Sequence, residues 1–139
     1  MITQGVTVET RCDACGGVLT RDVGQFIDRG RLWWGTEGAC RSCPLAWCEE
    51  DSGGETPEEI RQALLSEHGP ARLWLIAPET SPVAVLRALR EVHGVTLAQA
   101  KALADDLKTT GLTGTLVEME LVAARLRQRS VMAAVEAEP

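Results

Sequence analysis

The chain has 139 residues, a length that suits one ordinary domain or two small ones. Its hydrophobic fraction of 45% and charged fraction of 24% are typical of a folded protein and exclude a disordered chain. The formal net charge is −6, and residues 1–56 hold five arginines and no lysine against nine acidic residues. This balance disfavours a module that grips nucleic-acid phosphates, so nucleic acid is not an expected partner.

The first residues, MITQGVTVETRC, lack the basic segment and apolar run of a secretory signal. No stretch approaches the ~20 apolar residues that a membrane span requires. We therefore expect a cytoplasmic protein without a membrane segment, whose thiols are kept reduced.

Residues 6–36 alternate between apolar and polar positions and are predicted to form β-strands, including a hairpin around the turn-like DRG of residues 28–30. Trp33 and Trp34 are neighbours on one predicted strand and must point to opposite faces. We expect one of them in the core, while an exposed one would be a candidate anchor for a partner.

Two Cys-x-x-Cys units flank this hairpin, and they are the strongest chemical signal in the sequence. Each unit can aim two thiolates at one point, and two units complete a tetrahedron around zinc. The sequence thus predicts a structural Zn²⁺ in a zinc ribbon. Its ligands are Cys12, Cys15, Cys40 and Cys43. Buried cysteines without a ligand and a redox dithiol are the alternatives, the second disfavoured because the two matched pairs are better explained together.

Cys48 is the fifth cysteine and has no partner in this pattern. Because apolar residues precede it, we expect it to pack beside Trp47 as a small buried hydrophobe. The alternative is a role in the metal site, in place of Cys43 or as an additional ligand.

The acidic stretch EEDSGGET, residues 49–56, has the composition of a solvated boundary. We accordingly divide the chain into a zinc-ribbon-like domain over residues 1–55, a linking helix over 56–69 and a second domain over 70–139.

The positions of proline, glycine and capping residues predict the order of strands and helices in this second domain, which is that of a compact α+β fold. A strand at 71–76 is followed by helices at 82–93 and 97–109, a turn and a short strand within 111–116, a helix at 117–129 and a closing strand within 130–137. Thr96 and Gln99 form a capping-box pattern at the start of the second of these helices. The order β-α-α-β-α-β predicts a two-layer sandwich, with three helices against one face of a three-stranded sheet.

The stretch VAVLRALREVHGVTLAQAKAL, residues 83–103, resembles the C-terminal domain of the bacterial ribosomal stalk protein family. The family pattern is a helix that ends in Val/Leu-Arg-x-x-x-Gly, followed by Leu-x-Leu-x-x-Ala-Lys-x-Leu at the start of the next helix. The matching positions are Leu89, Arg90, Gly94, Val95, Leu97, Ala100, Lys101 and Leu103. The resemblance extends over roughly residues 71–137 and implies the same β-α-α-β-α-β fold.

In that family the domain binds translational GTPases through the first helix and the start of the second. The resemblance therefore implies a partner-binding surface on this chain. Its residues are Val83, Leu86, Arg87, Arg90, Gln99 and Lys101. The first four fall on one helical stripe, separate from the apolar stripe of Val85 and Leu89. The alternative is that Val83 and Leu86 pack under the preceding helix.

The chain also departs from the family. Pro82 and Ala98 stand where the family usually has lysines, and the cysteine-bearing unit replaces the family's N-terminal dimerisation helices.

Three classes of function follow. The first is a non-enzymatic protein-interaction module whose partner is a translational GTPase or a ribosome-associated factor. The second is an immunity protein that neutralises a cognate basic toxin through its acidic N-terminal face. The third, a zinc ribbon that binds nucleic acid, would require one face to gather Arg21, Arg29, Arg31 and Arg41. An enzyme is not expected, since no phosphate loop, triad signature or acid–base pair stands out.

Overall fold

The computed structural model describes residues 2–53, 55–77 and 81–138, which form two antiparallel sheets and four helices. The prediction of an α+β protein is confirmed. The chain divides after His68 into two compact units, and each is described by itself.

The first unit is a four-stranded meander followed by one helix. Its elements are β1 (Ile2–Arg11), β2 (Val18–Asp28), β3 (Arg31–Cys40), β4 (Ala46–Ser52) and α1 (Glu58–His68). The strands lie in the order β1-β2-β3-β4, each antiparallel to the next. In such a meander the β1–β2 and β3–β4 turns lie at one end of the sheet, and the β2–β3 turn lies at the other.

Helix α1 covers one face of this sheet. Ile60 and Leu64 are fully buried against Val23, and Trp34 packs beside them. The buried Gln25 side chain donates to the Thr56 hydroxyl at 2.9 Å, which fixes the chain to the sheet just before α1 begins. The helix that the sequence predicts as a linker therefore belongs to the core of the first unit.

Residues 49–52 correct the prediction of a solvated boundary. Glu49, Glu50 and Asp51 lie in β4 and pair with Thr36, Gly35 and Trp34 of β3. The composition is unfavourable for a strand, but the open edge of β3 supplies backbone partners and the acidic side chains stay exposed.

The second unit alternates strands and helices. Its elements are β5 (Ala71–Leu75), α2 (Pro82–His93), α3 (Leu97–Thr109), β6 (Leu112–Gly114), α4 (Leu116–Gln128) and β7 (Ala133–Ala137). The strands form an antiparallel sheet in the order β6-β5-β7. Helices α3 and α4 lie against the strands, while α2 packs on α3 and α4.

The core of this unit is aliphatic. Leu73 of β5, Leu89 of α2, Leu107 of α3 and Leu126 of α4 are essentially inaccessible to solvent. None of the helices in the described residues combines the length and apolar composition that crossing a bilayer requires.

Candidate metal centre and interaction surfaces

Four of the five cysteines converge at the end of the sheet that carries the β1–β2 and β3–β4 turns. Cys12 and Cys15 lie in the first turn, while Cys40 and Cys43 lie at the end of β3 and in the second turn. The Arg41 N–H donates to the Val18 carbonyl at 2.9 Å and ties the β3–β4 turn to the start of β2. The meander thus brings together residues that are up to 31 positions apart.

The Sγ atoms of the four cysteines lie within 4.8 Å of one another. Cys12 and Cys43 are separated by 3.8 Å, and Cys15 and Cys40 by 3.4 Å. Four thiolates in a tetrahedron around a metal at about 2.3 Å would be about 3.8 Å apart. This cluster is compatible with a metal site, and its donor set of four sulfurs suits a thiophilic cation.

In both turns the backbone directs N–H groups at cysteine sulfurs. Gly16 has φ +77°, and its N–H donates to the Cys12 carbonyl at 2.8 Å. The Gly17 N–H points to Cys15 Sγ at 3.3 Å, and the Ser42 N–H points to Cys40 Sγ at 3.4 Å. Amide groups aimed at sulfur stabilise thiolates, the form that binds metal.

The thiols influence one another strongly. The pKa of Cys40 falls to about 6, chiefly because the Ser42 N–H donates to its sulfur. The Gly17 N–H acts on Cys15 in the same direction, but the Cys40 thiol, desolvation and the other two thiols together raise the pKa of Cys15 to about 12. Four sulfurs at this spacing cannot all ionise without a compensating cation.

Cys48 is not a member of the cluster, and the prediction that it packs beside Trp47 as a buried residue is wrong. It is exposed on β4 opposite Glu37. Because neighbouring residues on a strand point to opposite faces, Trp47 lies on the α1 side and covers Gly38 instead.

The two adjacent tryptophans of β3 do point to opposite faces, as predicted. Trp34 packs with the Ile60 and Leu64 cluster under α1. Trp33 is half-buried on the other face, where its ring stacks on Phe26 with centroids 6.1 Å apart.

The arginines of the first unit do not share one face. Arg21 lies on the α1 side and forms an ion pair with Glu59 at 3.1 Å, whereas Arg41 pairs with Glu9 at the opposite face of the sheet. The arrangement that a nucleic-acid-binding ribbon would require is not formed by these side chains.

The six residues implied for partner binding have different environments. Val83 is 57% exposed, and Arg87, Arg90 and Lys101 are also exposed. Leu86 is half-buried against the core of the second unit.

Gln99 also serves the start of α3. Its side chain accepts from the Thr96 N–H at 2.9 Å, and its own N–H donates to the Thr96 hydroxyl at 3.2 Å. The predicted capping box is thereby confirmed.

Comparison of the sequence with protein-family models and curated proteins, and with the solved structures, finds no match.

Proposed function

We propose that the chain is a non-enzymatic protein-interaction module that combines a zinc-stabilised ribbon with a stalk-like domain. The second unit presents the exposed residues of α2 and the start of α3 to a translational GTPase or a ribosome-associated protein.

Zinc is the metal that best suits the cysteine cluster. Four thiolates favour zinc over the oxygen-seeking cations, and a set of four protein ligands leaves no coordination position for a substrate. The metal would supply folding free energy, because a sheet of this size with one covering helix buries little apolar surface.

The stalk-like assignment of the second unit rests on the sequence pattern of residues 83–103. The observed order of strands and helices in residues 69–138 is compatible with that resemblance. Fold alone does not transfer function, so the surface of α2 carries the argument.

The observation that carries the proposed binding role is the division of α2 into two faces. Val85, Ala88 and Leu89 are fully buried in the core. On the same helix Val83 is 57% exposed, and Arg87 and Arg90 are exposed as well. An apolar contact flanked by exposed cations is suited to an acidic partner surface with an apolar centre.

The α2–α3 surface is tested with the metal-loaded full chain and purified translational GTPases in their GTP-analogue-bound state. We expect the combined Arg87→Glu, Arg90→Glu and Lys101→Glu variant to weaken binding by at least about tenfold, because three attractive contacts become repulsive. The single variant Lys101→Glu has its own matched control, Lys108→Glu. Each of the two reverses one exposed cation of α3, but Lys108 lies at the other end of the helix. Unchanged binding by the triple variant would overturn the assignment of this surface.

A further inference from the structure

The face of the first sheet that lies opposite α1, hereafter the open face, carries a regular arrangement of side chains. Strand register places the residues of β1 to β4 in rows across the sheet. The first row is Thr3, Phe26, Trp33 and Ser52; the second is Gly5, Gly24, Gly35 and Glu50; the third is Thr7, Asp22, Glu37 and Cys48. The open face thus has an aromatic row and an acidic row on either side of a row of glycines.

The glycine row leaves the backbone bare over three adjacent strands. Glycine weakens a strand interior and often marks a place where another chain or a ligand approaches closely. Packing within the sheet favours glycine at position 24, since a Cβ there would lie 2.9 Å from the Gln4 carbonyl oxygen. Packing does not require glycine at position 35, because the nearest atom to a Cβ there would be the Glu49 carbonyl oxygen at 3.7 Å, an ordinary contact.

The electrostatics of the open face are asymmetric. Asp22 and Glu37 are exposed in the row beside the glycines, and Glu50 is exposed at the end of the glycine row. The Thr7 hydroxyl donates to the Asp22 carboxylate. The cations of this face lie towards its ends. Arg11 and Arg31 are opposite Val18 and Asp28, and Arg41 pairs with Glu9 at the end that carries the cysteines. The centre of the face is therefore anionic, with the stacked Phe26 and Trp33 rings beside it.

We propose that the open face docks a basic, extended segment of a partner protein. An arginine or lysine of that segment places its alkyl stem on the bare backbone of Gly24 and Gly35, and its cationic group at Glu37 and Glu50. Long cationic side chains cover flat apolar surface with their stems, and their heads form charge-assisted hydrogen bonds with carboxylates. Trp33 borders the same row and offers a ring to a further cation.

This docking face is distinct from the α2–α3 surface. It is anionic and lies on the first unit, whereas the α2–α3 surface exposes cations on the second. Failure of one assignment therefore leaves the other intact.

The first test uses the metal-loaded full chain and a fluorescein-labelled peptide of four Arg-Ala repeats with blocked ends. Fluorescence anisotropy measures its binding at low and at physiological salt. We expect Glu37→Gln combined with Glu50→Gln to weaken binding about tenfold, as the loss of two exposed ion pairs implies. Glu49→Gln combined with Glu58→Gln is the matched control, because it removes two exposed carboxylates of the first unit that lie on the α1 side of the sheet, and it should change binding less than about twofold.

A second variant distinguishes docking on the open face from nonspecific attraction of the peptide to an acidic protein. Gly35→Thr adds a side chain to the glycine row without a change of charge, and the 3.7 Å clearance leaves room for its Cβ. We expect this variant to keep or raise the melting temperature, since threonine suits a strand better than glycine, and to weaken peptide binding at least about fivefold. Three results would overturn the proposal: no binding of the peptide, equal weakening by the two glutamine pairs, or unchanged binding by Gly35→Thr.

Discussion

The sulfur atoms of Cys15 and Cys40 lie 3.4 Å apart, although 25 positions separate the two residues in the chain. The contact joins the β1–β2 turn to the end of β3 at one end of the meander. Both sulfurs receive a backbone N–H, from Gly17 and Ser42, so the two turns are built to hold thiolates. A shared cation would tie the β1–β2 turn to the β3–β4 turn and thereby fix the whole sheet.

Metal affinity is expected to fall as the pH is lowered. The metal binds thiolates, and protons compete for the same sulfurs, so each proton displaced at binding weakens affinity about tenfold per pH unit of acidification. The effect should be steeper than for a single thiol, because more than one of the four sulfurs must lose a proton when the metal binds. Cys15 is one of these, since the neighbouring thiols raise its pKa to about 12. Competition with a chromophoric chelator at pH 6, 7 and 8 measures it. An affinity that does not vary over this range would contradict ligation by the four sulfurs.

Trp47 and Gly38 provide a test of packing on the α1 side of the sheet. The Trp47 ring lies over Gly38, and a Cβ at that glycine would overlap the ring. Gly38→Ala should therefore lower the free energy of unfolding by about 1–3 kcal/mol, the usual range for an overpacked site. The measurement is urea unfolding of the metal-loaded protein followed by tryptophan fluorescence.

Gly35→Ala is the control for this substitution. It changes the same residue type on the same strand, where a Cβ meets only an ordinary contact at 3.7 Å. Equal unfolding midpoints for the two variants would show that the Trp47 ring does not occupy the place described.

Several features could be predicted from local sequence. The Cys-x-x-Cys spacing indicated all four members of the cluster, and capping residues gave the bounds of α2 and α3 as observed. These signals are local, because a thiol pair in one turn and a hydroxyl at a helix start act within a few residues.

The features that sequence reasoning missed depend on contacts between distant strands. Strand β4 forms because the edge of β3 accepts it, even though its own residues resemble a linker. The position of Cys48 follows from strand alternation once β4 exists. The glycine row appears only when Gly5, Gly24 and Gly35 come into register; glycines that alternate with acidic and aromatic residues were the available signal.

The hydrogen bond between Gln25 and Thr56 should stabilise the attachment of α1. Thr56→Val keeps the shape of the side chain but removes the acceptor of the buried Gln25 amide. We expect a loss of about 1–2 kcal/mol in the free energy of unfolding, as is usual for a buried hydrogen bond. Thr113→Val, at an exposed position of β6, is the control and should have little effect. A midpoint for Thr56→Val equal to that of Thr113→Val would contradict the role of this bond.

The metal content of purified protein tests the central claim most directly. Elemental analysis of the wild-type chain, of Cys48→Ser and of Cys15→Ser is combined with far-ultraviolet circular dichroism before and after treatment with a strong chelator. We expect one zinc per chain in the wild type and in Cys48→Ser, none retained by Cys15→Ser, and loss of strand signal when the metal is removed, while the helical signal of the second unit persists. A wild-type chain that holds no stoichiometric metal, or a first unit whose strands survive chelation unchanged, would contradict the account.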